Sequence, residues 1–292
     1  MARFVEGLLE EARFRASTLQ VTKVDTAYLG GGTPSMLPPH LIRTLFEGLR
    51  SAFPLRADTE INIEVNPATF GRSAAKTYFE SGVSRVSLGA QSFSPDVLKT
   101  LGRTHGPREI RRSIEVLRNA GIRNVSVDLM FSIPGQSLTE WQESLEQAVA
   151  LSPTHISAYN LTYEEDTPFL NRLQQGLYAE SDDLNASMFE LAHQFLTSRG
   201  LRHYETSNYA YPGFESRHNQ GYWQGRDYLG LGPSAVSTSA GRRWKNIPDT
   251  AQYLNQVEER GHAELEVENL TTAQLDLERI ALMLRTLSLI HI

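Results

Sequence analysis

The sequence predicts an α/β fold in which a parallel sheet curls into a barrel or partial barrel. Three observations predict it. Short apolar runs alternate with amphipathic helical patterns through about the first 160 residues. Polar residues gather at the C-terminal end of each run, the rim where barrels carry their binding groups. No G-x-G-x-x-G follows a predicted strand, so the fingerprint of a doubly wound sheet is missing.

Taken in order, residues 3–18 read as an amphipathic helix. Phe4, Val5, Leu8, Leu9 and Ala12 line one face, with Glu6, Glu10, Glu11 and Arg13 elsewhere. Strands follow at 26–29, 61–65, 85–89, 124–131 and 155–161. Helices lie between them at 41–53, 73–81, 108–120 and 138–151. Pro34 and the Pro38-Pro39 pair stop the first strand. Ser73 is expected to cap one helix, and Ser137 another with Glu140 three residues on. Gly82 and Gly121 stand where helix-terminating glycines belong.

The rim residues are Gly30 to Thr33 after the first strand, Glu64, Asn66 and Pro67 on the second, and Gln91 and Ser92 on the third. Asp128 is on the fourth, and Asn160 and Thr162 on the fifth. Each alone has a structural explanation: Asn66-Pro67 terminates a strand, Gln91 bonds a loop, Asp128 pairs with a buried partner. Five groups in register after five successive strands argue for a site. A carboxylate inside the apolar run VSVDLMF is costly unless paired or used.

Composition narrows the function classes. The chain has 292 residues, a net charge of -6 and a pI near 5.8, with 40% hydrophobic and 21% charged residues. That is an ordinary globular balance, too acidic for a general nucleic-acid binder. No apolar run reaches the ~20 residues of a membrane span, and charges at Arg3, Glu6, Glu10 and Glu11 break any leader-like stretch, so a cytoplasmic location is expected. Cysteine is absent, which excludes disulfides, thiolate metal sites and cysteine nucleophiles in these residues.

Beyond residue 170 the character changes. One more amphipathic helix is expected at 182–199, followed by a loop-rich, aromatic-rich region holding YETSNY, RHNQGYW and the glycine turn YLGLGPSA. His218 close to Tyr222 and Trp223 offers an axial ligand beside flat apolar faces, which suits a tetrapyrrole. The alternative is a histidine that only bonds a neighbouring loop.

GGGTPS (30–35), EVNP (64–67), SLGAQSF (87–93), LGRTH (101–105), DLMFSIPGQ (128–136), AYNLTYEEDTP (158–168), SNYA (207–210), HNQGYW (218–223) and YLGLGPSA (228–235) together resemble the ordered motifs of one family. It is that of the oxygen-independent coproporphyrinogen oxidase-like radical S-adenosylmethionine proteins. The likeness runs from about residue 3 to 286, and HNQGYW points to the heme chaperone branch. It implies a partial (β/α)6 barrel holding S-adenosylmethionine across its strand ends, with a smaller α+β region after it. Gly31, Gly32 and Thr33 would meet the methionine moiety. Glu64, Gln91, Arg103, Asp128 and Thr162 fall on the other cofactor positions, and His218, Tyr222 and Trp223 would meet heme. Implied with these are a 4Fe-4S cluster, heme or porphyrin as ligand, and heme-accepting apoproteins, soluble or membrane-associated. The competing expectation is anaerobic decarboxylation of coproporphyrinogen III, which leaves the question of catalysis open.

The family pattern begins with a strand and a CxxxCxxC loop just before the helix at 3–18, and neither is present here. The expectation is therefore a barrel lacking its first strand, over residues 1–170, in a reading frame started at an internal methionine. Residues 171–286 would complete the barrel and add the heme-associated part of a shortened C-terminal region. The last six residues, LSLIHI, match an in-frame translation of a transposon-end sequencing adapter and are set aside. An unpaired barrel edge predicts poor solubility.

Overall fold

The computed structural model describes residues 1–163, 168–178 and 181–286. The adapter expectation for 287–292 and part of the AYNLTYEEDTP motif lie outside these residues. In chain order the elements are α1 (Ala2–Thr18), β1 (Thr26–Leu29), α2 (Pro39–Ala52), β2 (Glu60–Val65), α3 (Arg72–Glu80) and β3 (Arg85–Gln91). Then come α4 (Pro95–Thr100), α5 (Pro107–Asn119), β4 (Asn124–Phe131), α6 (Leu138–Ala150) and β5 (His155–Asn160). The rest are α7 (Pro168–Gln174), α8 (Asp182–Thr197), β6 (Arg202–Glu205), β7 (Asn208–Ala210), α9 (Arg217–Trp223), β8 (Val236–Ser239), β9 (Arg242–Asn246), α10 (Thr250–Arg260), β10 (Glu264–Asn269) and α11 (Thr272–Met283).

Strands β1 to β5 lie side by side in sequence order and all pair in parallel, the topology of a singly wound, curled half-barrel. The register explains its two faces. Ile61, Ile63, Val65, Val86, Leu88, Val125, Val127 and Ile156 alternate onto the outer face and form one apolar core with the helices. The residues between them turn inward and are polar. Glu64, Ser87, Ser126 and His155 are successive cross-strand partners, and Asp128 stands opposite Ser157. A second core joins α1, α2 and α10 through Val5, Leu8, Leu9, Leu45, Tyr253 and Val257.

Four expectations need correction. Gly71, in extended backbone, precedes α3, so Ser73 lies inside the helix where its dihedrals are helical and it cannot cap. Pro39 does not merely break a strand: its fixed φ opens α2 at the first helical position. The region after α8 is less loop-like than its composition suggests. Residues 202–210 form a hairpin, β6–β7, that extends the sheet antiparallel to β5, and RHNQGYW is the helix α9. Glu11, placed on the polar side of α1, is wholly buried. Its carboxylate accepts bonds from the Gly232 N–H (2.9 Å), Asn246 Nδ2 (2.8 Å) and Tyr253 hydroxyl (2.7 Å), which tie α1 to the C-terminal sheet. The Ser137–Glu140 capping box and the positive φ of Gly82 and Gly121 are as expected.

Candidate functional site

The first group of site residues lies where the parallel strands end. At Gly30 an added Cβ would sit 2.4 Å from the Tyr28 ring, so the chain must pass there bare. Gly31 and Gly32 take φ of +74° and +51°, a region costly to other residues, and their Cα positions face open space. The Gly31 N–H and the Tyr28 hydroxyl both donate to Glu64, at 3.2 and 2.5 Å. Asn66 Nδ2 reaches Thr33 Oγ1 at 3.4 Å, while Ser35, Thr69 and the Asn66 backbone close the turn.

Gln91 holds φ +65° where the β3–β4 register shifts, and its amide and that of Asn66 flank the Cβ-less Gly89. A non-glycine residue held left-handed beside a polar rim is the kind of outlier that gathers at binding sites. Arg103 is half-buried, and burial disfavours its charge. Among the described residues no carboxylate or hydrogen-bond acceptor pairs its guanidinium. With Thr33, Asn66, Thr69 and His105 it lines a cavity of about 360 Å³.

Asp128 accepts the Ser87 hydroxyl at 2.8 Å and the Ser126 hydroxyl at 2.9 Å, while burial pushes its carboxyl above the usual range. Tyr28 is pushed up by burial and by the charges of both Glu64 and Asp128, so the three share one interior. Thr162 is exposed, two residues beyond β5, and its side chain bonds nothing among the described residues.

The second group is carried by α9, none of whose residues is fully buried. Polar contacts to the N-terminal ends of the strands seat it instead. Glu60 accepts the Arg217 and His218 N–H groups at 3.2 and 3.1 Å, and Ser216 caps the helix. His218 Nδ1 lies 2.9 Å from Thr26 Oγ1, and its ring stacks on Tyr28 with centroids 4.7 Å apart. Burial lowers its pKa to about 4, so it is neutral at pH 7. Tyr222 meets the His218 ring edge-on at 5.0 Å and Tyr228 beyond it.

Trp223, five residues on, faces the other way, toward the Arg285 guanidinium (5.2 Å) and the buried Glu205. The structure thus brings His218 and Tyr222 together with Tyr28, and leaves Trp223 apart. Sequence reading missed Tyr28, Glu60, Thr26, His155 and Tyr204. Only Tyr28 carried a signal, two residues before the glycine turn on the inward-facing phase of β1.

The residues present can be tested against the groups the motifs imply. A half-buried Arg103 whose guanidinium has no partner among the described residues, in one cavity with Thr33, fits a carboxylate-bearing zwitterion. A neutral His218 that donates Nδ1–H to Thr26 would keep Nε2 for a metal, the usual arrangement of a ligating imidazole. With no cysteine among the 292 residues, these residues offer no thiolates to a 4Fe-4S cluster. Nor is any group of three His, Asp or Glu placed for a metal among the described residues.

Comparison with known proteins bears on the same residues. Residues 5–148 match the Radical SAM superfamily model. The chain is 42% identical over 232 residues to the heme chaperone HemW of Escherichia coli K12, covering 80% of this chain and 61% of that protein. It is 33% identical over 262 residues to HemW of Bacillus subtilis 168, covering 89% and 69%. The chain thus spans roughly three fifths to two thirds of the length of these relatives. Among solved structures, coproporphyrinogen III oxidase (HemN) of E. coli superposes with a TM-score of 0.82 at 24% identity over 97% of this chain and 68% of that one, which is a likeness of fold. The chain belongs to the radical SAM superfamily and, within it, to the family of the heme chaperone HemW.

Proposed function

We propose that this chain is the body of a heme chaperone: a radical SAM half-barrel that binds heme at His218 and passes it to acceptor apoproteins in the cytoplasm. The observation that carries the reading is the state of His218. It is a neutral imidazole, held at Nδ1 by Thr26 and by stacking on Tyr28, and the tautomer that donates Nδ1–H to Thr26 leaves Nε2 for iron. His218, Tyr222 and Tyr228 also line an opening of about 710 Å³ along the free edge of β1, within the range of small-molecule sites. On its lining Lys23, Arg217 and Arg226 surround the carboxylate of Asp25, and with Asp227 also there three cations face two acids, which leaves a net positive charge for an anionic ligand such as heme with its propionates.

At the other end of the strands the reading places S-adenosylmethionine. Arg103 would pair with its carboxylate, and Gly31, Gly32 and Thr33 would pass its methionine portion. Glu64, Gln91, Asp128 and Thr162 would serve its amine and ribose hydroxyls. Beside a reduced 4Fe-4S cluster the cofactor would supply radical chemistry, and these 292 residues hold no thiolates for that cluster. The residues of this chain bind and orient it.

Hemin titration followed by absorbance tests the heme reading. Stoichiometric uptake is expected, weakened about tenfold or more in His218→Ala. Uptake unchanged in that variant would sink the assignment of His218. The second reading, oxidative decarboxylation of coproporphyrinogen, is favoured only by the fold likeness to HemN and the shared cradle, and a fold hosts many functions. Product formation from coproporphyrinogen under anaerobic conditions, without heme uptake, would select it.

A further inference from the structure

One buried histidine belongs to neither group of site residues. His155, 1% exposed at the start of β5, lies on the inward-facing polar row between Ser126 and the added hairpin. Its Nδ1 is 2.8 Å from Ser126 Oγ, and its Nε2 is 2.8 Å from the Tyr204 hydroxyl. Tyr204 in turn accepts the backbone N–H of Ser216, the capping residue of α9, at 3.1 Å. At the other end Ser126 Oγ is 2.9 Å from Asp128 Oδ1. The contacts form an unbroken line from the cap of α9 to Asp128.

Proton counting gives the line a direction. The Ser216 N–H can only donate, so Tyr204 accepts there and its single proton goes to His155 Nε2. Nε2 is then the acceptor and Nδ1 carries the hydrogen, which it donates to Ser126. Ser126 passes its own proton to the Asp128 carboxylate. Burial together with the Arg85 charge holds His155 far below the usual histidine range, so one ring nitrogen is always free to accept. The opposite tautomer would give Tyr204 two donors and no acceptor, and would take the Ser126 proton away from Asp128. The Nδ1–H form satisfies every member while Asp128 is ionised, and leaves Ser157, 3.3 Å from Ser126 Oγ, to donate to the same carboxylate.

We propose that His155 and Tyr204 are positioning residues that tie the Asp128 carboxylate to the N-cap of α9, so that charge at the cofactor cradle and the seating of the histidine helix are set together. The inference rests on the reading of Asp128 as a cradle residue only for its functional meaning. The relay itself is a property of this chain. Removing the acceptor at Asp128 leaves the Ser216 N–H still holding Nδ1–H on His155, but turns the Ser126 hydroxyl toward Ser157 and weakens the bond that Nδ1–H donates to it.

Long-range 15N–1H correlation spectra of the histidine rings test it, with His155 assigned by its loss in His155→Gln. The expected wild-type pattern at neutral pH is protonated Nδ1 and bare Nε2. Asp128→Ala is expected to keep Nδ1–H but to shift the ring resonances, because Ser126 loses the acceptor that polarises it, whereas Ser87→Ala, which touches the same carboxylate outside the line, leaves them unchanged. A wild-type Nε2–H tautomer overturns the proposal, and this readout needs no variant to fold. So does an unaltered ring in a folded Asp128→Ala.

Tyr204→Phe is expected to speed amide exchange at Ser216 and through α9 about tenfold or more; unchanged exchange there overturns the link to the helix. Titration with S-adenosylmethionine separates the two readings. Binding that shifts the His155 ring supports the coupling, and binding without a shift overturns it. Absence of binding with the tautomer as expected counts against the cradle reading while the relay stands.

Discussion

The half-barrel and the histidine helix are held in opposite ways. Strands β1 to β5 are fixed by an apolar outer face packed under α2 to α6, with Ile63, Leu88, Val127 and Trp141 essentially inaccessible to water. Helix α9 buries no residue fully and is seated by hydrogen bonds to Glu60, Thr26 and Asp58 and through Ser216 to Tyr204. Hydrophobic burial is non-directional and shared among many residues. A seat made of a few polar contacts is directional, and one substitution can unmake it. The barrel can therefore stay folded while the position of His218 is lost.

The sharpest way to break the comparison is to attack the first region. Trp141 is fully buried on α6 and donates its indole N–H to the Met188 carbonyl at 2.9 Å. Trp141→Ala is expected to cost about 3–5 kcal/mol of global stability, seen in denaturant unfolding as one cooperative transition at lower midpoint. A second, separate transition would show that the two regions do not unfold together.

A smaller effect is expected from pH, and it acts on the second region. Burial raises Glu205, beneath Trp223, to about 7. An acid whose folded pKa lies above its unfolded value binds more protons when folded. Its contribution is complete below the unfolded pKa near 4.5 and is lost as pH rises through 7, at most about 3 kcal/mol. Glu205→Gln is expected to narrow the stability difference between pH 5 and pH 8 relative to wild type, measured by thermal melts at both. An identical pH difference in the variant would remove Glu205 as its source.

The smallest global effect is expected at Glu60. Glu60→Ala orphans the Arg217 and His218 N–H groups, a local loss of about 1–3 kcal/mol. Amide exchange is expected to rise across α9 with little change in β2 to β4, and heme uptake to weaken. Uniform loss of protection across the sheet would mean that Glu60 supports the barrel rather than the helix.

Much of the half-barrel and its polar rim is legible in the order of residues alone. INIEV, RVSLG and NVSVDLMF alternate with period two, and the side chains that turn inward are the polar ones. That pattern marks both the sheet and the rows on which Glu64 and Asp128 sit. The hairpin β6–β7 is not legible, because YETSNY reads as a polar loop until β5 supplies a partner edge. Nor is the burial of Glu11, whose helical position is polar by periodicity and whose three partners outside α1 lie more than 200 residues away.

By itself the sequence determined the singly wound parallel sheet, the glycine turn at Gly31 and Gly32, and the motif order that marks the family. Each of these depends on spacing along the chain. Only the tertiary structure decided that His218 rests on Tyr28, that Trp223 turns away to Glu205, and that His155 and Tyr204 link α9 to Asp128. The physical reason is that these contacts are polar, directional and long-range. A hydrogen bond is satisfied only by the one group that folding brings within reach, and no local periodicity encodes which group that will be.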